Sequence, residues 1–196
     1  VSEGRHAIVL AGGASRRMGT RKEWLDMNGE PNLLRQCRQL RLVAEEVTVA
    51  TDARQDYPFL PPEVGVARDR VPDRGPVGGI CAGMARSAAP LQLIAGCDYP
   101  LVPLRAWMRL AERLEADPAI DAIIPRALGK EHPLCGIYRR RTLPIWEDAL
   151  ARGELRVMAA VRRINAVFWI PEGEEEKGYV NMNAPEDYKD VKERLK

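Results

Sequence analysis

Ala7-Ile8-Val9-Leu10-Ala11-Gly12-Gly13-Ala14-Ser15-Arg16-Arg17-Met18-Gly19-Thr20-Arg21-Lys22 runs from a short apolar stretch through a glycine-rich turn into a cluster of cations. An apolar run of this length, ending in glycines, reads as a buried strand that opens into a βα turn, so it predicts an α/β fold. Glycines let backbone amides approach a phosphate closely. Arg16, Arg17 and Lys22 would then neutralise the negative charges of a triphosphate or pyrophosphate. The segment is a phosphate-handling loop by composition. It is not a P-loop, because Gly13 and Gly19 are separated by five residues and Thr20 stands where that motif requires lysine. The glycines also lack GxGxxG spacing, which disfavours a dinucleotide-dependent oxidoreductase.

Working outward, short apolar runs alternate with helical patterns. Val47 to Ala50, Val64 to Val66, Leu91 to Ala95 and Ala122 to Ile124 read as strands. Leu33, Leu34, Cys37 and Leu40 form one helical face after Pro31, Pro76 opens a helix containing Ile80 and Met84, and Leu104, Trp107, Met108, Ala111 and Leu114 have helical spacing. Five βα alternations fit in this part of the chain. Beyond it the rhythm loosens, with a strand-like Leu134 to Tyr138, a helix around Leu143, Trp146 and Leu150, a strand from Ala166 to Ile170 and a last helix from Pro185 through Tyr188, Val191 and Leu195. The fold class is α/β: a single Rossmann-like, mostly parallel sheet flanked by helices. Trp107 and Trp146 are expected in the core, and the acidic run Glu172 to Glu176 in a solvated loop.

The 196 residues suit a single domain spanning 1–196 at roughly 150 residues per domain. A balance of 30 Lys+Arg against 28 Asp+Glu argues against a dedicated nucleic-acid binder. No apolar run approaches the ~18 to 20 residues of a membrane span, and Val1 to His6 lack the apolar stretch of a signal peptide, so a cytoplasmic protein without membrane partners is expected. Cys37, Cys81, Cys97 and Cys135 form no CxxC and read as reduced, semi-buried thiols. With only His6 and His132 present, a bound metal is expected to be a hard ion on carboxylates, which makes magnesium the candidate cofactor.

In an open parallel sheet, ligands bind beyond the carboxyl ends of the strands. Asp98, in Gly96-Cys97-Asp98-Tyr99-Pro100, follows an apolar strand, and Asp69 follows another, so both carboxylates are expected on the rim that bears the glycine loop, where they would repel one another. Gly75-Pro76-Val77-Gly78-Gly79-Ile80 removes side chains from the opening face of a helix, which implies close approach by a ligand or a neighbouring backbone. His132-Pro133-Leu134 and Asn181-Met182-Asn183-Ala184-Pro185 are polar insertions at strand edges.

Taken together, these motifs resemble the molybdenum cofactor guanylyltransferase family, a branch of the nucleotidyltransferases that activate sugars, alcohols and pterins. LAGGxSxRMGxxK is matched by Leu10 to Lys22, and the likeness continues through Asp69, GPxGGI at Gly75 to Ile80 and CDxP at Cys97 to Pro100. HPLCGIY at His132 to Tyr138, RVM at Arg156 to Met158 and NMNAPED at Asn181 to Asp187 point to the molybdopterin branch. The resemblance implies the nucleotide-diphospho-sugar transferase type of fold. It implies that Leu10, Ala11, Gly12, Gly13, Lys22 and Asp69 contact the guanine nucleotide and that Asp98 helps hold magnesium. Lys22, Asp98 and Arg17 would carry the chemistry, with Arg17, His132, Arg156, Asn181 and Asn183 on the acceptor side. Arg21 stands where many relatives carry an acid, and Ala50 stands near a position where some carry a base-contacting asparagine.

The implied reaction is transfer of GMP from GTP to molybdopterin or molybdenum cofactor, with transient contact to cofactor-handling proteins. The open alternatives are a related nucleotidyltransferase using CTP or a sugar or polyol phosphate, and a catalytically silent nucleotide-binding adapter.

Overall fold

The computed structural model describes residues 4–12, 20–52, 55–69 and 74–195. Strand β1 is Arg5–Leu10, and a short 3-10 turn at Lys22–Trp24 leads to helix α1 at Asn32–Leu40. Strands β2 (Glu46–Asp52) and β3 (Gly65–Asp69) follow without an intervening helix among the described residues, and α2 (Gly75–Met84), β4 (Leu91–Gly96), α3 (Leu104–Ala116) and β5 (Ala122–Ala127) then alternate. The expected alternation therefore misses one helix. Pro58, Pro61 and Pro62 deny the β2–β3 connection a continuous helical hydrogen-bond pattern, and it forms turns whose Tyr57 packs into the core.

The remaining elements are β6 (Lys130–Glu131), β7 (Ile137–Arg139), α4 (Leu143–Ala151), α5 (Val157–Val161), β8 (Ala166–Trp169) and α6 (Pro185–Arg194). The strand expected from Leu134 starts only at Ile137. Pro133 opens a 3-10 turn at Pro133–Cys135, and Gly136 then passes so close to β5 that a Cβ there would lie 2.9 Å from the Ile123 carbonyl oxygen. The sheet has eight strands in the order β3-β2-β1-β4-β7-β5-β6, with β8 also pairing with β5. Ladders β1–β2, β1–β4, β2–β3 and β5–β8 are parallel. The expected mostly parallel α/β sheet is present, with β7 antiparallel to both β4 and β5.

Alternation along β1 divides the core. Ala7 and Val9 join Leu33, Cys37, Leu40, Trp107, Leu110 and Leu114 beneath α1 and α3, whereas Ile8 joins Val77, Ile80, Met84 and Trp146 beneath α2 and α4. Both expected core tryptophans are buried, as are all four free cysteines. The acidic run departs from its expected solvated loop: it forms a 3-10 turn at Gly173–Tyr179, and Glu175 is 2% exposed. Arg105 and Arg109, four apart on α3, pair with that carboxylate at 3.1 and 3.0 Å. Among the described residues no helix is long and apolar enough to cross a membrane.

Within β1, His6 is fully buried between its neighbours in the sheet. Gln92 donates its amide to the Ala89 carbonyl, which leaves Gln92 Oε1 to accept from His6 Nδ1 at 2.8 Å, while His6 Nε2 lies 2.8 Å from Thr48 Oγ1. Burial disfavours the charged ring and lowers the His6 pKa from 6.5, and with the ring neutral Thr48 donates to Nε2. Protons then bind the unfolded chain more readily than the folded one, so stability present at neutral pH is lost as pH falls below about 6.5. In a pH series of denaturant melts, His6→Gln is expected to flatten that decline by up to about 1.4 kcal/mol per pH unit. An unchanged slope would show that His6 is not a source of it.

Candidate active site

The carboxyl ends of β1 to β4 build one rim. Leu10 lies opposite both Ala50 and Gly96, and Asp52 lies opposite Asp69, so Gly12, Asp69 and Asp98 share that edge. The expected repulsion between Asp69 and Asp98 is not supported by the strand order. β3 and β4 are three strand positions apart, roughly 14 Å at ordinary spacing, which is beyond a Debye length at physiological salt.

Leu10, Ala11 and Gly12 carry the chain off the sheet, and backbone groups of all three are hydrogen-bonded there. Ala11 N–H donates to the Ala50 carbonyl at 2.8 Å, Cys97 N–H to the Leu10 carbonyl at 3.1 Å, and Gly12 N–H to Glu23 Oε1 at 2.7 Å. Gly12 has φ of +127°, a conformation that favours glycine. Gly13, Arg16 and Arg17 lie outside the described residues. Ala50 is 2% exposed and packs beneath α2, so its side chain belongs to the core rather than to the rim.

Asp69 ends β3 against the first turn of α2. A Cβ on Gly78 would lie 2.0 Å from Asp69 Oδ2, so glycine at that position makes room for the carboxylate, and the close approach read from the sequence is that of Asp69 itself. Gly79 similarly admits Leu10, whose Cδ2 would be 3.0 Å from an added Cβ. The amino end of α2 faces the same rim, where its dipole favours negative charge.

Asp98 sits in a turn gripped from below by α1. Asn32 Nδ2 donates to the Cys97 carbonyl at 2.9 Å and to the Lys22 carbonyl at 3.2 Å, Gln36 Nε2 donates to the Cys97 carbonyl at 3.0 Å, and Arg35 Nη1 to the Pro100 carbonyl at 2.8 Å. Asn32 and Gln36 were not read from the sequence, although their spacing of four places them on the Cys37 and Leu40 stripe, where a polar pair needs buried partners. Burial pushes the Asp98 carboxyl above its usual value, opposed chiefly by the Lys22 ammonium and by hydrogen bonds from its own amide and from Asn181. Burial also lifts the neighbouring Cys97 thiol well above its usual value, and the Glu23 and Asp98 carboxylates add to that rise.

The carboxy-terminal segment closes over this turn. Met182 N–H donates to the Asp98 carbonyl at 2.8 Å, Asn181 Nδ2 donates to the Tyr99 hydroxyl at 3.1 Å, and Lys22 Nζ donates to Asn183 Oδ1 at 2.5 Å. Lys192 and Tyr188 of α6 bind Asp26, at 2.8 Å each, just past the lysine turn. His132 is 5% exposed between the rings of Tyr99 and Tyr179, at 5.4 and 5.3 Å. Its Nε2 faces the Ala127 carbonyl at 3.0 Å, its Nδ1 is buried without a partner, and burial lowers its pKa. The structure thus gathers Lys22, Asp98, His132, Asn181 and Asn183. Arg156 is exposed at the start of α5, which packs on the 133–135 turn.

Among the described residues, no group of three or more His, Cys, Asp or Glu side chains is arranged to hold a metal. A single rim carboxylate nevertheless suits magnesium, which binds through one or two carboxylates plus substrate phosphates and water. Gly96 leaves space for that carboxylate, since a Cβ there would lie 2.6 Å from Asp98 Oδ1.

Comparison with known proteins follows the same geometry. The family described as MobA-like NTP transferase domain matches residues 7–167. A probable molybdenum cofactor guanylyltransferase of Chloroflexus aggregans is 32% identical, covering 96% of this chain and 93% of that protein. One from Flavobacterium johnsoniae is 28% identical, covering 94% of each. The crystal structure of molybdopterin-guanine dinucleotide biosynthesis protein A from Archaeoglobus fulgidus shares the fold, with a TM-score of 0.78, 21% identity, and coverage of 96% of this chain and 97% of that one.

The raised pKa of Asp98 has a consequence for stability. Its charged form is disfavoured by folding, so the contribution lost as pH rises through the folded pKa is restored when the group is made neutral. Asp98→Asn is expected to melt higher than the parent at pH 7, with the difference shrinking as pH falls and vanishing only well below the usual carboxylate value of 3.8, where the carboxyl is neutral in both states. If Asp98 instead caps the following segment, asparagine caps about equally well and the variant melts with the parent at both pH values, whereas Asp98→Ala loses about 1 kcal/mol.

Proposed function

The chain belongs to the family of MobA-like NTP transferase domains, and we propose that it transfers GMP from GTP to the terminal phosphate of molybdopterin or its molybdenum-loaded form. A phosphate oxygen of the acceptor attacks the α-phosphorus, the bond from that phosphorus to the α,β-bridging oxygen breaks, and pyrophosphate leaves. The acceptor is already an anion at neutral pH, so no general base is required. The protein's work is to align two anions that repel and to offset the charge that builds on the leaving group.

In this reading Lys22 leaves Asn183 to meet the reacting phosphates, a task that the family resemblance also assigns to Arg17. Asp98 would hold magnesium, which supplies charge neutralisation to the phosphates. The nucleotide lies along Leu10, Ala11, Gly12 and Gly13 toward Asp69, whose carboxylate accepts hydrogen bonds from its hydroxyl or N–H groups. His132, Arg156, Asn181 and Asn183 flank the acceptor. Residues 1–196 are taken as one nucleotidyltransferase domain acting in the cytoplasm.

The reading is supported by the meeting of Lys22 with the Asp98 turn through the 181–183 segment, where an ammonium and a largely desolvated carboxylate lie on the same rim. The guanine and pterin assignments are supported by the names of the similar proteins. Incubating the protein with magnesium, molybdopterin and each NTP in turn, while following pyrophosphate and the dinucleotide product, tests reaction, acceptor and base together. GTP is expected to exceed ATP and CTP by about 5-fold to 30-fold, the value of one hydrogen bond of ~1 to 2 kcal/mol. A preference for CTP would make the protein a cytidylyltransferase, and absence of turnover with every NTP would favour a binding adapter.

Two variants test the roles within the site. Lys22→Ala is expected to lower turnover by about two orders of magnitude or more with the fold intact. Asp98→Asn is expected to abolish most turnover and weaken the apparent magnesium affinity, and an unchanged magnesium midpoint with near-normal rate would remove Asp98 from the metal site.

A further inference from the structure

Glu23, beside Lys22, has no place in the reaction described above, yet the structure buries it to 3% exposure. Its Oε1 accepts the Gly12 N–H at 2.7 Å, and its Oε2 is buried with no partner among the described residues. A carboxylate so placed loses its hydration for one charge-assisted hydrogen bond, an unfavourable exchange if the position needed only a side chain to fill space. What that bond joins gives the exchange a purpose. The chain leaves the sheet at Gly12 and returns to the described structure before Lys22–Trp24, so the Gly12–Glu23 contact closes the base of the glycine-rich loop. From the other side of the same turn, the Lys22 carbonyl is held by Asn32, which also holds the Cys97 carbonyl next to Asp98. Lys22 is thereby fixed relative to the Gly12 turn by Glu23 and relative to the Asp98 turn by Asn32.

We propose that Glu23 is a positioning residue whose carboxylate staples the Gly12 turn to the Lys22 turn, so that the Gly12 backbone and the Lys22 ammonium meet a nucleoside triphosphate already in register. The inference deepens the reading that this loop binds the nucleotide, and it predicts an effect on nucleotide capture separate from the acceptor. Without the staple, each binding event must first bring the Gly12 and Lys22 turns together, and that cost is taken out of affinity.

The test uses the full chain, Glu23→Ala and Glu23→Gln. Hydrogen exchange without any nucleotide reads the staple directly, and kinetics with GTP, magnesium and molybdopterin read its use. Glu23→Ala is expected to lose protection at the Gly12 amide and to raise the KM for GTP by about tenfold to a hundredfold, the value of a hydrogen bond to a charged group, with the acceptor KM unchanged and kcat altered far less. Glu23→Gln keeps an oxygen acceptor and is expected to restore most of both. A Glu23→Ala protein that keeps Gly12 protection, or one in which both KM values stay at parent level while the melting temperature falls, would overturn the proposal. If the parent binds no GTP, the functional reading fails, and the exchange result still decides whether the staple exists.

Discussion

Everything at the rim depends on the double pairing of β1. Because Leu10 lies opposite both Ala50 and Gly96, the chain leaves the centre of the sheet where β4 ends and two residues before β2 ends at Asp52. That register sets Gly12 between the β2 end and the Cys97–Asp98 turn. It is secured by burial on both faces, with Ala7 and Val9 against α1 and α3 and Ile8 against α2, and a slip of one residue would reverse those faces. Close packing reinforces it, since Gly83 allows α2 to approach until an added Cβ would lie 2.4 Å from Ile8.

Two polar layers then refine the rim. Below it, Asn32, Gln36 and Glu23 fasten the lysine turn, the Cys97 carbonyl and the Gly12 amide to one another. Above it, the 181–183 segment and α6 hold Lys22 and the stretch around Asp26. The charged groups differ in how they are held. Asp69 is fitted against Gly78, whereas Lys22 rests on an exposed asparagine that a phosphate can replace. Under the proposed function, the carboxylate beside α2 would serve the nucleotide and the cation beside Asp98 the reacting phosphates.

The parts legible in the sequence were those with local signatures. The apolar run into Gly12, the aspartates after strands and the glycines at the start of α2 all mark strand ends or close approaches, which depend on neighbouring residues. The parts that escaped depend on distant partners. Asn32 and Gln36 carry no local sign of their role until Cys97 is placed over them, nothing at Glu23 points to Gly12 until the chain returns beside it, and Glu175 reads as one of a solvated acidic run until Arg105 and Arg109 enclose it. The antiparallel β7 was hidden for a related reason, because its short run gives no direction and Pro133 with Gly136 moves its start.

A crystal structure with magnesium and a GTP analogue whose α,β-bridging oxygen is replaced by methylene tests the central claim most directly. The account predicts the α-phosphate against Lys22, which has left Asn183, a metal on Asp98, and the nucleoside toward Asp69 and the start of α2. A nucleotide bound away from this rim, with Lys22 still on Asn183 and no metal at Asp98, would contradict it.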